Sequence, residues 1–394
     1  MCADFIGQLH EQQLVRKKTG LFRSRMVLNG PQETHVFIDG QDFLAFCSND
    51  YLGLANHSAL IEAVVDGARH YGVGAGASHL ISGHSMAHHK LEEALARFVG
   101  FPRALLFSTG YMANIGVVTA LLGRGDAIFA DKLNHASLNE AALLSRAKLI
   151  RYPHADLLVL EKQLTASKAK LKLVMTDAVF SMDGDVAPVD ELLALCEAHN
   201  ALLLLDDAHG FGVLGKQGRG TLSSFEHCNI QSPNIIYMAT LGKAAGVFGA
   251  FVAAQPEVIE TFIQHARSYI YTTATPALLS HTLLKSLELI EQEEWRREQL
   301  RKLIAQLKSE LQSLRWQLLP SDTPIQPLIV GKRETAVQIS KALHEQGILV
   351  PAIRPPTVPE GMARLRISLS ALHSEEDVKR LTTMLRDLAM NWNE

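Results

Sequence analysis

A strand-like apolar run ends in two adjacent carboxylates and a histidine in the segment LLLLDDAHGFG, residues 202–212. Burying a carboxylate at such a place costs free energy unless a cation pairs with it. One interpretation is that Asp206 and Asp207 end the strand and begin a solvated loop. The other is that one carboxylate pairs with a buried cation at the carboxyl end of a sheet, where open α/β sheets bind their ligands.

A lysine surrounded by small residues follows another strand-like run. Lys243 lies in TLGKAAG, residues 240–246, directly after NIIYMA. Most lysines are solvated surface charges, but Gly242 and Ala244 provide little side-chain cover here. Because a desolvated amine loses its proton more easily, Lys243 is a candidate for Schiff-base formation with a carbonyl group.

A third segment has the residues of a phosphate-binding turn. In STGYMAN, residues 108–114, the N–H groups of Gly110 and Tyr111 would begin a helix directly after the strand-like RALLF. The positive end of a helix suits a phosphate group. The alternative is an ordinary helix cap formed by Ser108 or Thr109.

The order of these features along the chain indicates a cofactor. His135 follows the strand-like AIFAD, His209 follows Asp206 in an Asp-x-x-His pattern, and Lys243 comes 37 residues after Asp206. Pyridoxal 5′-phosphate (PLP) needs a lysine for its aldehyde, donors for its phosphate and a carboxylate against its pyridine nitrogen. The pattern therefore predicts that Asp206 pairs with the protonated ring nitrogen and that Asp207 is an ordinary turn residue.

The glycine-rich GVGAGASHLISG, residues 72–83, does not predict a dinucleotide site. It follows the helical LIEAVVDGARHY, whereas the dinucleotide fingerprint requires a preceding strand and a G-x-G-x-x-G spacing. His84, His88 and His89 come next, two of them four residues apart. No acidic ligand accompanies them at a typical metal-site spacing, so no metal site is predicted.

Composition excludes several classes of protein. The chain has 394 residues, 47% of them apolar and 20% charged, with a net charge of −3. No basic excess indicates nucleic-acid binding, and no run of about 18 apolar residues indicates a membrane span. The four cysteines form no C-x-x-C pair, and the first 18 residues read as an amphipathic helix rather than a signal peptide. A cytoplasmic protein with free thiols is expected.

Short apolar runs alternate with helical segments and predict a mostly parallel sheet covered by helices on both faces, an α/β fold. A long helical run, 274–316, and a small α+β region follow. The expected domains are an N-terminal arm (1–55), a large domain (56–275), and a linking helix with a small C-terminal domain (276–394). The predicted sheet strands are 103–108, 127–131, 148–152, 172–177, 201–206, 234–239 and 250–254.

Several motifs together resemble the α-oxoamine synthases, which are fold-type-I PLP enzymes, and the resemblance covers almost the whole chain. The C-terminal motifs are most similar to the branch that condenses L-alanine with a pimeloyl thioester in biotin biosynthesis. The motifs are SNDYLGL (48–54), GAGASHLISG, TDAVFSMDGDVAP (176–188), LDDAHGFGVLG (205–215), TLGKAAG, IQPLIVG (325–331) and AIRPPTVPEGMARLRISL (352–369).

The resemblance implies a role for each matching residue. Lys243 would hold the cofactor and later move a proton, Asp206 would face the ring nitrogen, and His209 the ring hydroxyl. The other residues implied to contact the cofactor are His135 on the ring face, Ser181, Thr240, Gly110 and Tyr111, with Thr272 or Thr273 reaching the phosphate of a second subunit in a homodimer. The residues implied to contact the substrates are Asn49, His135 and Arg354 for the amino acid, and Arg23 and Thr357 for the acyl group.

Two residues depart from the family pattern. Asp177 replaces a glutamate that is common in the family, and His79 occupies a position that is expected to be small and close to the acyl path. The implied reaction is a decarboxylative condensation that uses coenzyme A or an acyl carrier protein as the thiol. The alternatives are a glycine-using sister enzyme, a non-catalytic subunit of the same family, and a nucleotide-binding α/β protein.

Overall fold

The computed structural model describes residues 2–19, 21–225 and 228–392, and for residues 2 and 3 it describes the backbone alone. Residue 1, where the predicted arm begins, and residues 393 and 394, where the predicted C-terminal domain ends, lie outside this range. The side chain of Cys2 also lies outside it. The helices are α1 (Cys2–Lys18), α2 (Ser58–Tyr71), α3 (Met86–Val99), α4 (Gly110–Leu121), α5 (Ala136–Ser145), α6 (Leu157–Ala166), α7 (Val189–Ala198), α8 (Pro256–His265), α9 (Arg267–Ile270), α10 (Ala277–Gln292), α11 (Glu294–Leu311), α12 (Arg333–Glu345) and α13 (Glu375–Met390).

In the residues that the structure describes, the strands form three sheets, of seven, four and three strands. Within the described part of the chain, no helix is both long and apolar enough to cross a membrane. The strands are β1 (His35–Ile38), β2 (Gln41–Ala45), β3 (Arg103–Phe107), β4 (Ala127–Asp131), β5 (Lys148–Tyr152), β6 (Lys172–Asp177), β7 (Leu202–Asp206), β8 (Ile235–Thr240), β9 (Ala250–Ala254), β10 (Gln317–Leu318), β11 (Ile325–Gly331), β12 (Ile348–Leu349), β13 (Ala352–Ile353) and β14 (Ala363–Ser368).

The large sheet confirms the predicted mostly parallel architecture. Its strand order is β3-β9-β8-β7-β6-β4-β5, and the pairs from β8 to β5 are parallel. Only β9, which pairs with β3 and β8, runs antiparallel to its neighbours. Every residue of β4 and β9 is buried, because helices cover both faces and no side of these strands meets water. The parallel strands therefore direct the residues that follow them to one edge of the sheet.

The N-terminal segment pairs with the C-terminal region. β1 and β2 form a hairpin, and β2 pairs in parallel with β12. Val36, Phe43 and Leu349 are buried together in a small cluster that joins the two ends of the chain. The division into three domains stays a prediction.

The predicted single helical run 274–316 is wrong, because the chain forms two helices, α10 and α11, that meet at Glu293. Glu293 has φ −95° and ψ 64°, outside the helical region. Arg297 is 2% exposed and donates to the carbonyl of Ile290, which the end of α10 leaves without a helical partner. Arg296 donates to the carbonyl of Leu52. Hydrogen bonds from two buried arginines thus stabilise the break between α10 and α11. No proline or glycine at the junction predicts this break from the sequence.

Candidate active site

A cavity of about 190 Å³ lies at the carboxyl edge of the large sheet. Residues that follow β4, β6, β7 and β8 meet the first turn of α4 there, as the strand-end pattern predicts. The lining residues are Gly110, Tyr111, His135, Ser137, Asp177, Asp206, Ala208, His209, Met238, Thr240 and Lys243.

Lys243 is the cationic group of this cavity. Its Nζ lies 2.8 Å from Nε2 of His209. Burial lowers the pKa of Lys243 to about 8, although the nearby carboxylates of Asp206 and Asp177 oppose that shift. A substantial fraction of the amine is therefore unprotonated near pH 8, as a nucleophile for an aldehyde requires.

The tautomer of His209 is set by a chain of hydrogen bonds that begins at Arg366. The guanidinium can only donate, and its Nη2 donates to Oδ1 of Asn49 at 3.3 Å. The same oxygen accepts the hydroxyl proton of Tyr51 at 3.1 Å.

The hydroxyl oxygen of Tyr51, having donated its only proton, accepts from Nδ1 of His209 at 2.7 Å. Burial and the charge of Lys243 hold the pKa of His209 well below its usual range. His209 is therefore neutral, and its unprotonated Nε2 faces Lys243.

Asp206 ends β7 and is 4% exposed. Its Oδ2 accepts from Nδ2 of Asn114 at 2.8 Å, and its Oδ1 accepts from the N–H of Ala208 at 3.1 Å. Within the described chain, Asp206 has amide partners but no cation at ion-pair distance. A buried carboxylate held in this way can pair with a cationic ligand that enters the cavity.

Asp207 is not the ordinary turn residue that the sequence predicts. It is fully buried, and its carboxylate accepts from the N–H and hydroxyl of Thr221 and from the hydroxyl of Tyr237 at 2.8 Å. Burial raises its pKa to about 6. A Cβ at Gly210 would lie 2.1 Å from Oδ1 of Asp207, so the turn packs directly on this network. Asp207 anchors the turn that carries His209.

His135 and Asp177 form one wall of the cavity. His135 caps α5, and its backbone N–H donates to Oδ2 of Asp177 at 2.6 Å. Burial lowers the pKa of His135, which leaves a neutral ring for stacking. Burial and the neighbouring Asp206 hold the pKa of Asp177 well above its usual range. The shorter carboxylate at this position thus bonds to the backbone of His135 instead of extending across the cavity.

The predicted phosphate donors also line the cavity. Gly110 and Tyr111 are the first residues of α4, whose N-cap Thr109 accepts from the N–H of Met112. Helix geometry leaves the first N–H groups without intrahelical acceptors. Thr240 is a further lining residue, and its Oγ1 donates to the carbonyl of Gly249 at 3.0 Å.

The remaining predicted site residues lie outside the lining of this cavity. Ser181 contacts Arg366 through its carbonyl, and Ser78 forms an isolated bridge with Thr273, beside Thr272. A second cavity, of about 760 Å³, is lined by α1, Arg23 and Pro356, which precedes Thr357. The backbone carbonyl of Arg354 accepts from the N–H of Thr357 at 3.1 Å. The roles of Ser181, Thr272, Thr273, Arg23, Arg354 and Thr357 stay predictions.

Arg366 is a site residue that was not predicted from the sequence. This arginine lies on β14, is 6% exposed, and donates to the carbonyl of Ser181 at 2.6 Å and to Asn49. Arg364, two residues earlier on the same strand face, pairs with Asp183 at 2.7 Å. Two arginines in alternation within the apolar strand ARLRIS are a signal that could have identified them, because buried charges require polar partners.

The residues of the cavity fit PLP. A buried amine of lowered pKa, a buried carboxylate without a cationic partner among the described residues, a neutral histidine and a helix N-terminus surround one space. These are the groups that the aldehyde, ring nitrogen, ring face and phosphate require. Lys243, Asp206, His135 and the amides of Gly110 and Tyr111 would hold them.

Comparisons with known proteins agree with this geometry. The model of the family described as aminotransferase class I and II matches residues 41–385. An 8-amino-7-oxononanoate synthase from Nitrosomonas europaea is 68% identical over 389 residues, covering 99% of this chain and 100% of that protein.

Two solved structures extend the similarity to the fold. A structure of SPT with a PLP internal aldimine aligns with a TM-score of 0.91 at 28% identity, covering 98% of both chains. A crystal structure of 8-amino-7-oxononanoate synthase from Francisella tularensis aligns with a TM-score of 0.76 at 32% identity. That alignment covers 88% of this chain and 97% of the other.

Proposed function

The chain belongs to the aminotransferase class I and II family, and we propose that it condenses L-alanine with a pimeloyl thioester to give 8-amino-7-oxononanoate, CO₂ and a free thiol. The product is the one that gives the relative from Nitrosomonas europaea its name. The observation that carries the proposal is the pairing of the partly buried Lys243 with His209 beside Asp206 in one cavity. The reaction belongs to biotin biosynthesis.

Bound PLP supplies an electrophilic aldehyde and an electron-withdrawing ring that stabilises negative charge on the carbon beside the amino nitrogen. Lys243 acts first as the amine that holds the cofactor, because its lowered pKa makes the nucleophilic form available. Nζ of Lys243 would also be the base that removes the Cα proton of L-alanine in the loaded site. His209 lies 2.8 Å from that nitrogen and accepts one of its hydrogens, which orients the amine lone pair.

Asp206 would hold the protonated ring nitrogen of the cofactor. The amides of Asn114 and Ala208 donate to its two carboxylate oxygens and fix their orientation toward the cavity. An ionised carboxylate in a buried site stabilises a protonated nitrogen more strongly than it would in water. His135 excludes water from one face of the cavity and stays neutral, so it adds no competing charge.

We assign recognition of the alanine carboxylate to Arg366 and Asn49, which are in contact at 3.3 Å beside Tyr51 and His209. A guanidinium can bind a carboxylate with two parallel hydrogen bonds. This grip would fix the amino acid with its Cα–H bond toward Lys243. Arg354, which the family resemblance implies for the same role, lies in the turn after β13.

The acyl substrate would enter beside the second cavity, where α1 and Arg23 face the segment around Pro356. This placement supports the roles that the resemblance implies for Arg23 and Thr357. We further propose a cytoplasmic homodimer with shared sites, in which Thr272 or Thr273 reaches the partner's cofactor phosphate. Light scattering of the purified enzyme should give twice the 43.3 kDa chain mass.

A thiol-release assay tests the proposed function. Purified enzyme with PLP is given pimeloyl-CoA, a pimeloyl acyl carrier protein or a shorter acyl-CoA, each with L-alanine, glycine or L-serine. Thiol release with L-alanine and a pimeloyl thioester is expected. Release with glycine and a shorter acyl thioester, but not with L-alanine, would instead identify the glycine-using alternative.

A further inference from the structure

A third cavity, with a polar lining, lies along the first half of α3, away from the Lys243 cavity. It encloses about 410 Å³ and shares no lining residue with the Lys243 cavity. Its ionisable lining residues are His79, His84, His89, Glu92, Glu93, Arg103 and Tyr269. Nothing in the reaction described above uses this cluster.

Helix geometry brings three of these side chains together. Ser85 is the N-cap of α3, so His84 directly precedes the cap and His89 is the fourth helical residue. Residues at these two positions contact each other at many helix starts, and their rings here lie 6.1 Å apart. Glu92 follows His89 by three residues and shares its helix face. The acidic ligand that the sequence analysis did not find is therefore Glu92.

Glu92 is a partly buried carboxylate, with its side chain 14% exposed. Its Oε1 accepts from the N–H of Leu106 at 3.0 Å, and its Oε2 faces Nε2 of His84 at 4.0 Å. The charge of Arg103 is paired with Glu260 at 3.0 Å. A cation between Glu92 and His84 would offset the cost of burying this carboxylate.

His79, and His88 beside the cavity, have different roles. Nε2 of His88 donates to the carbonyl of Thr275 at 2.8 Å, and its Nδ1 accepts from the N–H of Ser85 at 3.0 Å. His88 therefore has no free nitrogen. Nδ1 of His79 lies 3.1 Å from Nδ1 of His84. When His84 donates its Nδ1 proton to His79, this hydrogen bond orients the ring, as a hydrogen bond from the second ring nitrogen does for ligating histidines. The Nε2 of His84 is then unprotonated and faces Glu92.

From this geometry we propose that His84, His89 and Glu92 bind a divalent transition-metal ion of the Zn²⁺ type. One ligand atom from each residue lies within 4.8 Å of the other two. Zn²⁺ bonds to nitrogen and oxygen are about 2.0–2.2 Å long, so closure requires a modest rotation of His89, whose side chain is 57% exposed. Two imidazoles and one carboxylate suit Zn²⁺ and its neighbours better than Ca²⁺ or Mg²⁺, which prefer oxygen ligands.

The direct test is Zn²⁺ titration of the PLP-loaded enzyme by calorimetry, after chelator treatment and in buffer without phosphate. The variants are His84→Asn and Glu92→Gln, and the glutamine retains an oxygen for the N–H of Leu106. The control is His70→Asn, because His70 is an exposed histidine on α2 outside the cluster. The visible absorbance of the cofactor checks that each variant is folded.

The expected result is one Zn²⁺ per chain in the wild type and in His70→Asn. Affinity should fall at least tenfold in each ligand variant, on the order of the loss seen when a metal site loses a supporting group. Zn²⁺ should also raise the thermal midpoint of the wild type but not of Glu92→Gln, because only a bound ligand stabilises the folded state. Failure of the wild type to bind Zn²⁺, or equal affinity in all four proteins, would overturn the proposal.

Discussion

Asp206 and Asp207 are adjacent in the chain, but their carboxylates bind different parts of the molecule. Asp206 lines the Lys243 cavity and is held by the amides of Asn114 and Ala208. Asp207 is absent from that lining and accepts hydrogen bonds from Thr221 and Tyr237. Successive residues of a strand point to opposite faces, so one doublet at the end of β7 provides both a ligand-binding charge and an internal anchor.

This division predicts opposite effects of two conservative substitutions. Asp206→Asn should reduce turnover on the order of 10²–10³-fold or more, because an amide cannot hold the ring nitrogen protonated. Asp207→Asn should retain most of the turnover but lower the free energy of unfolding by about 1–2 kcal/mol, since charged hydrogen bonds become neutral and one buried amide hydrogen lacks an acceptor.

The measurements are steady-state turnover and urea unfolding of the cofactor-free proteins. Asp206→Asn should unfold at nearly the wild-type urea concentration. In the cofactor-free protein the substitution removes a buried charge that costs free energy, and this gain offsets the weakened hydrogen bonds. Equal losses of turnover in the two variants would show that the doublet does not divide its roles in this way.

Lys243 is predicted to be the attachment point of the cofactor. The purified enzyme should be yellow, and borohydride followed by peptide mapping should place the reduced cofactor on Lys243. Lys243→Ala should still bind PLP noncovalently and lose turnover by several orders of magnitude, since it loses both the attachment and the proton transfer. Lys285→Ala, which changes an exposed lysine on α10, is the control. A label on any other lysine contradicts the assignment.

The lowered pKa of Lys243 predicts how cofactor capture depends on pH. Only the unprotonated amine attacks an aldehyde, so the capture rate of cofactor-free enzyme should rise with pH and reach half of its maximum near the pKa of about 8. The carboxylate of Asp206 raises this pKa. Asp206→Asn should therefore move the midpoint to lower pH. Stopped-flow absorbance measures the rate, and a midpoint that moves to higher pH in the variant would contradict the electrostatic account.

Much of the large domain could be predicted from the sequence, because its signals are local. The seven apolar runs matched β3 to β9 within one residue at every end, since buried strands are largely apolar. Lys243, Asp206, His209 and His135 could be predicted to lie together because each is at the end of such a strand or within four residues after it.

Features that depend on tertiary contacts were missed. The break at Glu293 depends on the buried Arg296 and Arg297, and helix propensity gives no sign of it. The role of Asp207 depends on Thr221, 14 residues later. Arg366 reaches the site because β14 packs beside the loop that follows β6. Pairing between distant segments sets each of these contacts.

Recognition of the alanine carboxylate gives a matched pair of arginine substitutions. Arg366→Lys should weaken L-alanine binding at least tenfold, because an ammonium cannot reproduce a bidentate guanidinium contact. Arg366→Gln should weaken it by roughly 30- to 1,000-fold, as for a lost buried charge pair. Arg354→Ala should have a smaller effect.

Spectroscopic titration of the PLP-loaded enzyme with L-alanine measures these affinities. Every variant should retain the visible absorbance of bound cofactor, which separates lost substrate binding from lost cofactor. A larger loss of L-alanine affinity in Arg354→Ala than in the Arg366 variants would show that Arg354, as the family resemblance implies, binds the alanine carboxylate.

The central claim is that this chain joins L-alanine to a pimeloyl group with loss of the alanine carboxylate. The most direct measurement is mass spectrometry of the product formed from pimeloyl-CoA and L-alanine labelled with ¹³C either at the carboxyl carbon or at the methyl carbon. The predicted product is 8-amino-7-oxononanoate that retains the methyl label and has lost the carboxyl label as ¹³CO₂. A product that retains the carboxyl label, or a condensation product formed from glycine but not from L-alanine, would contradict the account.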